Sequence, residues 1–542
     1  MLLPPPTAIG APERFQGWRQ GQPEAVLRAI DSPRRFVGLV LPTGSGKSLS
    51  YVSAALLAGW RTAILTSTKG LQSQLLDDFA SIGLVDVRGQ ANYQCVALAP
   101  DGEFGHLAWK RWHSCEDGPC RSGVACSLKE GGCLYYDAVA RARQARLVVT
   151  NYAYWLAQHR YGSGLGRALP GGRADFEGLV LDEAHSAPEE LGAFLSCVVS
   201  HKEIELLLRT KAPATTEVEA WARWATAHSK AVAAELDRAL TSPVSQSDLQ
   251  RRRHLRALHR TLVTLAEMRE GEWLVTEQPD GWAFDPLWPA RFAEACLFLR
   301  VPRVILASAT FTRKTAHLLG IGDDDLDLLE LPSTFPVGRR PVYYVPTVRV
   351  DFRWTPEHER TWLARIDQIC RQRRDRKGII HTVSYARRNL LLQKSEHRDR
   401  MLSHDTGTTR TVVERFKAAP PGTILVSPAI TTGFDFPYTE CEYQILCKLP
   451  FPDSRAPVMQ ARTAADKTYP AYVAAQELVQ AVGRGMRAED DQCETFIIDD
   501  HFRWFVKQHR ALFPRWFLEA VQTVAVIPPP PPPLAQKLER RP

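Results

Sequence analysis

The chain has 542 residues, of which 44% are hydrophobic and 24% are charged, and its formal net charge is +8. This composition is typical of a globular protein, and the length predicts about three or four domains. No run approaches the ~20 uninterrupted apolar residues of a membrane span, and the first residues lack the basic and apolar regions of a signal peptide. We therefore expect no membrane association and a cytoplasmic location, or a nuclear one if the host has a nucleus.

The charge alone does not identify a partner. A modest positive charge favours solubility, and nucleic-acid binding needs local basic clusters. Two such groupings occur, at residues 251–253 and 371–377, and each is more typical of a solvated helix face than of a binding groove.

A glutamine near the start of a predicted helix is the first candidate site residue. Gln22 precedes a helical pattern over residues 25–30. Its planar amide can pair with the donor and acceptor edges of an adenine, although it is equally explained as a polar residue at a helix start.

A phosphate-binding loop is predicted next. Residues 41–48, Leu-Pro-Thr-Gly-Ser-Gly-Lys-Ser, stand between a short apolar run and a helix-like segment, and leucine replaces the first glycine of the general pattern. Gly44 and Gly46 let backbone N–H groups approach an anion, and the helix N-terminus adds positive dipole. Lys47 is predicted to reach the β- and γ-phosphates, and Ser48 to ligate Mg²⁺.

Apolar runs that end in small or polar residues recur through the first half of the chain. Runs of this kind, separated by helical patterns, predict strands of a parallel sheet that is buried on both faces. Function is expected at the C-terminal ends of such strands. The runs are 62–66, 147–150, 179–181 and 304–306, and Thr66-Ser-Thr-Lys69, Asp182-Glu-Ala-His185 and Ser308-Ala-Thr310 follow three of them.

An acidic pair follows one of these runs. Asp182 and Glu183 come directly after residues 179–181. One carboxylate at a strand end can hold Mg²⁺, and the second can polarise an attacking water. The pair therefore supplies what the phosphate loop lacks for triphosphate hydrolysis.

A second series of strand-like runs predicts a second α/β sheet domain. Near its end Arg484 and Arg487 are three residues apart, so on a helix they share one face. From another domain such guanidinium groups can act as arginine fingers on a γ-phosphate. The runs are 378–381, 423–426, 443–446 and 495–498.

Two segments interrupt the α/β pattern. Residues 186–300 are dominated by amphipathic stretches and predict a mostly helical insert, whose tryptophans are interpreted as core. Five of the eleven cysteines fall within residues 95–133, and in a cytoplasmic protein such a cluster favours metal binding over disulfides. The other six are scattered and are interpreted as small core residues.

Together these segments resemble the superfamily 2 helicases. The resemblance covers the chain from about Arg19 to about Asp500, and members of this superfamily often begin the phosphate loop with a residue other than glycine. The motifs, in family order, are Arg19-x-x-Gln22, Pro42-Thr-Gly-Ser-Gly-Lys-Ser48, Thr66-Ser-Thr68, Asp182-Glu-Ala-His185, Ser308-Ala-Thr310, Thr382-Val-Ser384, Gly433-Phe-Asp435 and Gln480-x-x-Gly-Arg-x-x-Arg487.

The resemblance implies a role for each motif residue. The catalytic residues are Lys47, Asp182, Glu183, Gln480, Arg484 and Arg487. The residues that bind ATP and Mg²⁺ are Arg19, Gln22, Thr43, Gly44, Ser45, Gly46, Lys47, Ser48, Gly433 and Asp435. The DNA-binding residues are Thr66, Thr68, Thr382 and Ser384.

The cysteines resemble those of the XPD/DinG branch, which carries a [4Fe–4S] cluster. Asn92-Tyr-Gln-Cys95 and Cys133-Leu-Tyr-Tyr136 are similar to the first and last ligand motifs. A cubane cluster takes four thiolates, and we assign Cys95, Cys120, Cys126 and Cys133, with Cys115 as the spare or as a substitute for Cys120. Zinc remains the alternative metal, since four thiolates also suit it.

The resemblance also divides the chain into domains, two of them RecA-like α/β parallel-sheet helicase domains. Domain 1 comprises residues 15–90, 146–190 and 295–330, and domain 2 residues 331–525. An iron–sulfur insert is expected at 91–145 and a helical Arch-like insert at 191–294. A Pro-rich lead-in at 1–14 and a Pro-rich tail at 526–542 flank them, and we interpret the tail as a solvated polyproline II extension.

The predicted function is ATP-dependent translocation on single-stranded DNA and unwinding of duplex or fork DNA by a monomeric motor, with 5′→3′ polarity implied by the family. The alternative is a nucleic-acid-dependent ATPase that remodels complexes without separating strands. A protein partner for the polyproline tail stays open. A fused nuclease is disfavoured, because no separate acidic cluster of nuclease type is present.

Overall fold

The computed structural model describes residues 3–532, apart from residues 43, 109–111, 163, 167, 170–172, 241–244, 270, 352, 406, 429–433, 435 and 486–489. Two seven-stranded parallel sheets organise this part of the chain. Within it, no helix combines the length and the hydropathy needed to cross a membrane.

The strands and helices up to residue 330 build the first sheet and its two insertions. The strands are β1 (Phe36–Val40), β2 (Thr62–Thr66), β3 (Leu84–Asp86), β4 (Leu147–Asn151), β5 (Ala168–Leu169), β6 (Arg173–Ala174), β7 (Gly178–Asp182), β8 (Cys197–Ser200), β9 (Trp273–Gln278), β10 (Gly281–Pro286), β11 (Arg303–Ser308) and β12 (Leu326–Glu330). The helices are α1 (Gln22–Asp31), α2 (Lys47–Ala58), α3 (Lys69–Phe79), α4 (Leu134–Gln144), α5 (Tyr152–Tyr161), α6 (Ala187–Leu195), α7 (His201–Leu208), α8 (Val218–Leu240), α9 (Gln246–Ala266), α10 (Ala290–Ala293) and α11 (Arg313–Leu318).

The first sheet has the strand order β12-β1-β11-β7-β2-β4-β3. Its central strands are buried on both faces, as their uninterrupted apolar runs predict. In register, Val40 lies beside Ser308 and Ala307 beside Asp182. The phosphate loop, the acidic pair and the Ser-Ala-Thr segment therefore leave neighbouring strands at one edge.

Two insertions leave this sheet. Residues 87–133 contain short 3₁₀ helices rather than long elements. Residues 197–286 contain the packed helices α8 and α9, as the amphipathic stretches predict, but also an antiparallel sheet in the order β8-β10-β9. Trp221, Trp273 and Trp282 are buried there, which confirms their interpretation as core residues.

The rest of the chain forms the second sheet, ordered β15-β16-β14-β17-β18-β13-β19. Its strands are β13 (Val342–Val348), β14 (Gly378–His381), β15 (Met401–Ser403), β16 (Ile424–Ser427), β17 (Tyr443–Leu446), β18 (Glu494–Asp499) and β19 (Val521–Thr523). Its helices are α12 (Pro356–Gln372), α13 (Tyr385–Lys394), α14 (Thr409–Ala418), α15 (Pro457–Ala465), α16 (Tyr469–Val482), α17 (His501–Gln508) and α18 (Arg515–Ala520). The two predicted parallel sheets are thus confirmed.

The basic groupings differ from prediction in part, since Arg251 and Arg371 are exposed but other members are not, and the start of the tail differs as well. Arg252 and Arg373 are buried rather than solvated, and Arg373 forms a bidentate ion pair with Glu494. Ile527 is buried against the second sheet, and the Pro528 carbonyl accepts a hydrogen bond from Arg373. The described start of the tail is therefore bound to domain 2, because Arg373 donates hydrogen bonds both to Glu494 on β18 and to the tail.

Candidate functional site

The phosphate loop is shaped by two glycines and braced by a glutamine. Gly44 and Gly46 have φ angles of 77° and 76°, in the left-handed region. The Gln22 amide donates to the carbonyls of Ser45 and Gly46 at 2.9 and 3.1 Å. A Cβ on Gly46 would lie 2.3 Å from Gln22 Nε2, so only glycine fits. Gln22 thus contacts the loop, and the adenine contact stays a prediction.

The N-terminus of α2 opens on this loop. Gly46 is its N-cap and no side chain caps the first turn, so its backbone N–H groups and helix dipole are available to an anion. Arg19 donates from its guanidinium to the Gly44 carbonyl and from its backbone to Gln22. Ser45 Oγ is buried without a hydrogen-bond partner. The arrangement suits the oxygens of a bound phosphate.

The acidic pair lies against the loop lysine. Lys47 Nζ donates to Glu183 Oε1 at 2.6 Å. Asp182 ends β7 and is buried, and its Oδ1 has no hydrogen-bond partner. An orphaned buried carboxylate oxygen beside a phosphate cradle fits the oxygen ligation that Mg²⁺ prefers.

The two carboxyls have opposite electrostatic environments. Burial raises the pKa of Asp182 to about 7, although the charge of Lys47 opposes this. Burial also raises the pKa of Glu183, but the charge of Lys47 and a hydrogen bond from His185 outweigh it, so this pKa lies well below its ordinary value. Glu183 is also the left-handed residue of its turn, with φ 52°. Such strain in a non-glycine residue is typical of functional sites.

A chain of polar contacts leads from the acidic pair into the second sheet domain. His185 Nδ1 lies 3.3 Å from Glu183 Oε2 and 2.8 Å from Ser308 Oγ. Ser308 Oγ is 3.4 Å from Thr310 Oγ1, which accepts a 3.0 Å hydrogen bond from Gln480 Nε2 on α16. The predicted motifs from both sheets therefore meet at one place.

A second glutamine at this contact was not predicted. Gln476 Nε2 donates to the Thr310 carbonyl at 2.8 Å. It precedes Gln480 by one helical turn, so the i, i+4 spacing of two amides on one helix face was the available signal.

The arginines of the second domain are partly described. Arg484 follows α16, and burial lowers its pKa while the charges of Glu183 and Glu477 act in the opposite direction. Its guanidinium therefore lies within electrostatic range of Glu183. The predicted site residues Thr43, Gly433, Asp435 and Arg487 lie outside the described residues.

The four predicted DNA-binding residues occupy matching places in the two sheets. Thr66 is the last residue of β2 and its Oγ1 donates to the Thr68 carbonyl at 3.1 Å, while Thr68 caps α3. Thr382 follows β14 and donates to the Ser384 carbonyl at 3.1 Å, while Ser384 caps α13. Each pair begins a helix at the carboxyl edge of its sheet.

Some of the clustered cysteines lie close together. The Cys115 thiol donates to the Gln94 carbonyl at 3.3 Å, and its interaction with Cys95 lowers the pKa of Cys95 to about 7. A Cβ on Gly118 would lie 3.3 Å from Cys95 Sγ and 3.5 Å from Cys120 Sγ. No group of three or more His, Cys, Asp or Glu side chains is close enough to hold a single metal ion in the described part of the chain.

Comparison with known proteins gives one family and several relatives. Residues 367–520 match the helicase C-terminal domain. The chain is 26% identical over 208 residues to the ATP-dependent DNA helicase YoaA of Haemophilus influenzae, a stretch that covers 30% of this chain and 32% of the relative. The alignment thus spans about a third of the length of that relative.

Solved structures with a similar fold are known. An XPD helicase superposes with a TM-score of 0.59 at 13% identity, over 93% of this chain and 98% of the other. Xpd4 of S. tokodaii superposes with a TM-score of 0.56 at 14% identity, over 94% and 100%. At these identities the likeness shows the fold alone.

Proposed function

Because the chain resembles the superfamily 2 helicases of the XPD/DinG type in its C-terminal domain and its fold, we propose that it is an ATP-dependent DNA helicase. In this proposal ATP hydrolysis drives the protein along single-stranded DNA, in the 5′→3′ direction implied by the resemblance, and separates duplex or fork DNA.

One observation carries the proposal. The phosphate-loop lysine connects to the second sheet through Glu183, His185, Ser308 and Thr310, up to Gln480. A site that holds triphosphate on one domain and is completed by the other responds to hydrolysis with domain movement. That is the requirement of a translocating motor.

Four residues of the site have roles in the proposed hydrolysis of ATP. With a triphosphate on the loop, Lys47 would leave Glu183 for the β- and γ-phosphates, and Asp182 would hold Mg²⁺, which neutralises developing charge. Glu183 would then accept a proton from the attacking water. Arg484 would stabilise transition-state charge from the second domain.

The test compares hydrolysis, translocation and strand separation in one preparation. We expect single-stranded DNA to stimulate ATP hydrolysis, and a forked duplex to be unwound. DNA-stimulated hydrolysis with translocation but without strand displacement would instead support a remodelling ATPase. Absence of any stimulation by single-stranded DNA would contradict both functions.

We further propose that residues 91–145 bind a [4Fe–4S] cluster and that residues 191–294 form an Arch-like insert. Four thiolates, one for each iron, are the donor set that such a cluster requires. The thiols of Cys95 and Cys120 both lie next to Gly118, and the Cys115 thiol interacts with Cys95 and Cys133. Cys115 is thus a stronger ligand candidate than its assignment as a spare implies, whereas Cys126 makes none of these contacts.

The cluster proposal is tested by comparing variants of Cys115 and Cys126. In anaerobically purified protein, Cys115→Ser should lose most of the bound iron and the visible absorbance, and Cys126→Ser should lose much less. Cys197→Ser is the control, because this cysteine lies outside the cluster segment. A colourless parental protein with one tightly bound zinc would exclude iron–sulfur.

A further inference from the structure

An aromatic surface on the second domain is exposed to solvent. Trp504 on α17 is 55% exposed, and Phe451, in the loop after β17, is 38% exposed. Both exposed rings are anchored near one buried ring: Phe451 stacks edge-on with the buried Phe505 at 5.2 Å, and the half-buried His509 lies 5.4 Å from Phe505 and 5.8 Å from Trp504. We call Trp504, Phe451 and His509, which lie over the buried Phe505, the aromatic face.

Positive charge surrounds this face. Arg503, Lys507 and Arg510 are exposed, and residues 501–518 contain no aspartate or glutamate. In the described structure no ion pair joins these three cations to a carboxylate. The acidic residue nearest in sequence to Phe451 is Asp453, which is paired with Arg455. The surface is therefore complementary to a polyanion.

The face also lies at the edge that carries the predicted DNA-binding motif. β14, β17 and β18 are neighbours in the second sheet, and Leu446 pairs with both His381 and Ile497. The loops after β17 and β18 are joined by a hydrogen bond from Leu449 N to Asp499 Oδ2 at 3.0 Å. Phe451 and Trp504 thus leave the same carboxyl edge as Thr382 and Ser384, which follow β14.

Aromatic rings interleaved with cations are the general means of holding unpaired bases. Stacking is tolerant of sequence because every base has a π face, and the cations follow the phosphates. We propose that the aromatic face is a binding site for single-stranded DNA, in which Trp504 and Phe451 stack on unpaired bases while Arg503 and Lys507 contact the backbone. This inference rests on the proposed helicase function and adds residues to the four that were assigned to DNA binding.

The test is the binding of fluorescein-labelled oligothymidylate to the full chain without nucleotide, followed by fluorescence anisotropy. Trp504→Ala should raise Kd about fivefold or more, and Phe451→Ala should act in the same direction. Trp504→Phe should restore most of the affinity, because the ring is kept. Lys507→Ala should lower the slope of log K against log salt by about 0.7, whereas Trp504→Ala should leave the slope unchanged.

Tyr438→Ala is the matched control. Tyr438 is 41% exposed and precedes β17, so it lies toward the opposite end of that strand, and its hydroxyl bonds Asp490. Its variant should bind DNA like the parent. DNA-independent ATP hydrolysis and thermal unfolding establish that each variant is folded.

Two results would overturn the inference while leaving the helicase proposal intact. One is an unchanged Kd for both alanine variants in a protein whose parent binds DNA. The other is an unchanged Kd together with conversion of a dimer to a monomer by Trp504→Ala, which would make the face an interface between copies. A parent that neither binds the strand nor responds to it in hydrolysis would contradict the function and the inference together.

Discussion

Glu183 carries the largest number of constraints of any residue in the site. It has a left-handed backbone, an ion pair with Lys47 and a contact with His185. Lys47 holds the Glu183 carboxylate in its charged form, so the predicted base and the predicted phosphate ligand contact each other. A triphosphate that binds Lys47 would free Glu183 to act on water.

We predict that Glu183→Gln nearly abolishes ATP hydrolysis and retains nucleotide binding. The amide keeps the shape of the side chain but cannot accept a proton from water. Hydrolysis and binding of a fluorescent nucleotide should be measured together, with the exposed Glu189→Gln as control. DNA-stimulated turnover near the parental rate would contradict the role of Glu183.

Lys47→Ala should lose hydrolysis too, because the phosphate ligand is removed.

Much of the site could be predicted from residue types and spacing. Gly44, Gly46 and Lys47 follow from the loop pattern, and Asp182 and Glu183 from a buried strand that ends in two acids. The bracing of Gly46 by Gln22 could not be predicted, because it depends on an approach between α1 and the loop that sequence distance does not encode. The i, i+4 spacing of Gln476 and Gln480 indicates their shared helix face, but the partner of Gln476, the Thr310 carbonyl, lies in the other domain and could not be predicted.

At the scale of elements, the strands that were predicted are those buried on both faces. β2, β14 and β17 have the predicted bounds, since an apolar run determines them. β13 was missed because Pro346 interrupts it, and proline normally argues against an internal strand. The ladder accommodates this proline through an irregular register between Tyr344 and Val348.

A buried ion pair ties this second sheet to the end of α12. Arg373 and Glu494 have side-chain exposures of 0% and 1%, and the two hydrogen bonds between them are 2.7 Å long. The guanidinium also lies 4.5 Å from the Phe496 ring centroid. Removal of one partner leaves the other charge buried and uncompensated.

We predict that Arg373→Ala destabilises the protein by about 3–5 kcal/mol. Arg371→Ala is the matched control, because Arg371 lies two residues earlier and pairs with Glu396 at the surface, where an ion pair contributes little. Chemical unfolding followed by tryptophan fluorescence measures both. Equal unfolding midpoints for the two variants would contradict a structural role of the buried pair.

At the scale of the whole molecule, the two sheets meet through the Ser-Ala-Thr segment. Besides the contacts of Gln476 and Gln480, Trp516 Nε1 donates to the Ala309 carbonyl at 3.1 Å. Nearby, the Tyr472 hydroxyl on α16 lies 2.9 Å from Thr315 Oγ1 on α11. The segment leaves β11 between the phosphate loop and the acidic pair. The segment therefore connects the predicted nucleotide site to one of the contacts between the two domains.

We predict that Gln480→Ala weakens the coupling of ATP hydrolysis to DNA binding more than it weakens nucleotide binding. The variant loses the 3.0 Å hydrogen bond to Thr310 Oγ1 and the 3.5 Å contact with His185, so DNA-stimulated turnover should fall while nucleotide affinity changes little. In the double variant with Thr310→Val, the losses in activation free energy of DNA-stimulated hydrolysis should be non-additive by about 1 kcal/mol, because both substitutions remove the same hydrogen bond. Gln460→Ala on the exposed side of α15 is the control. Additive effects in the double variant would show that the two residues act independently and that the coupling passes through other contacts.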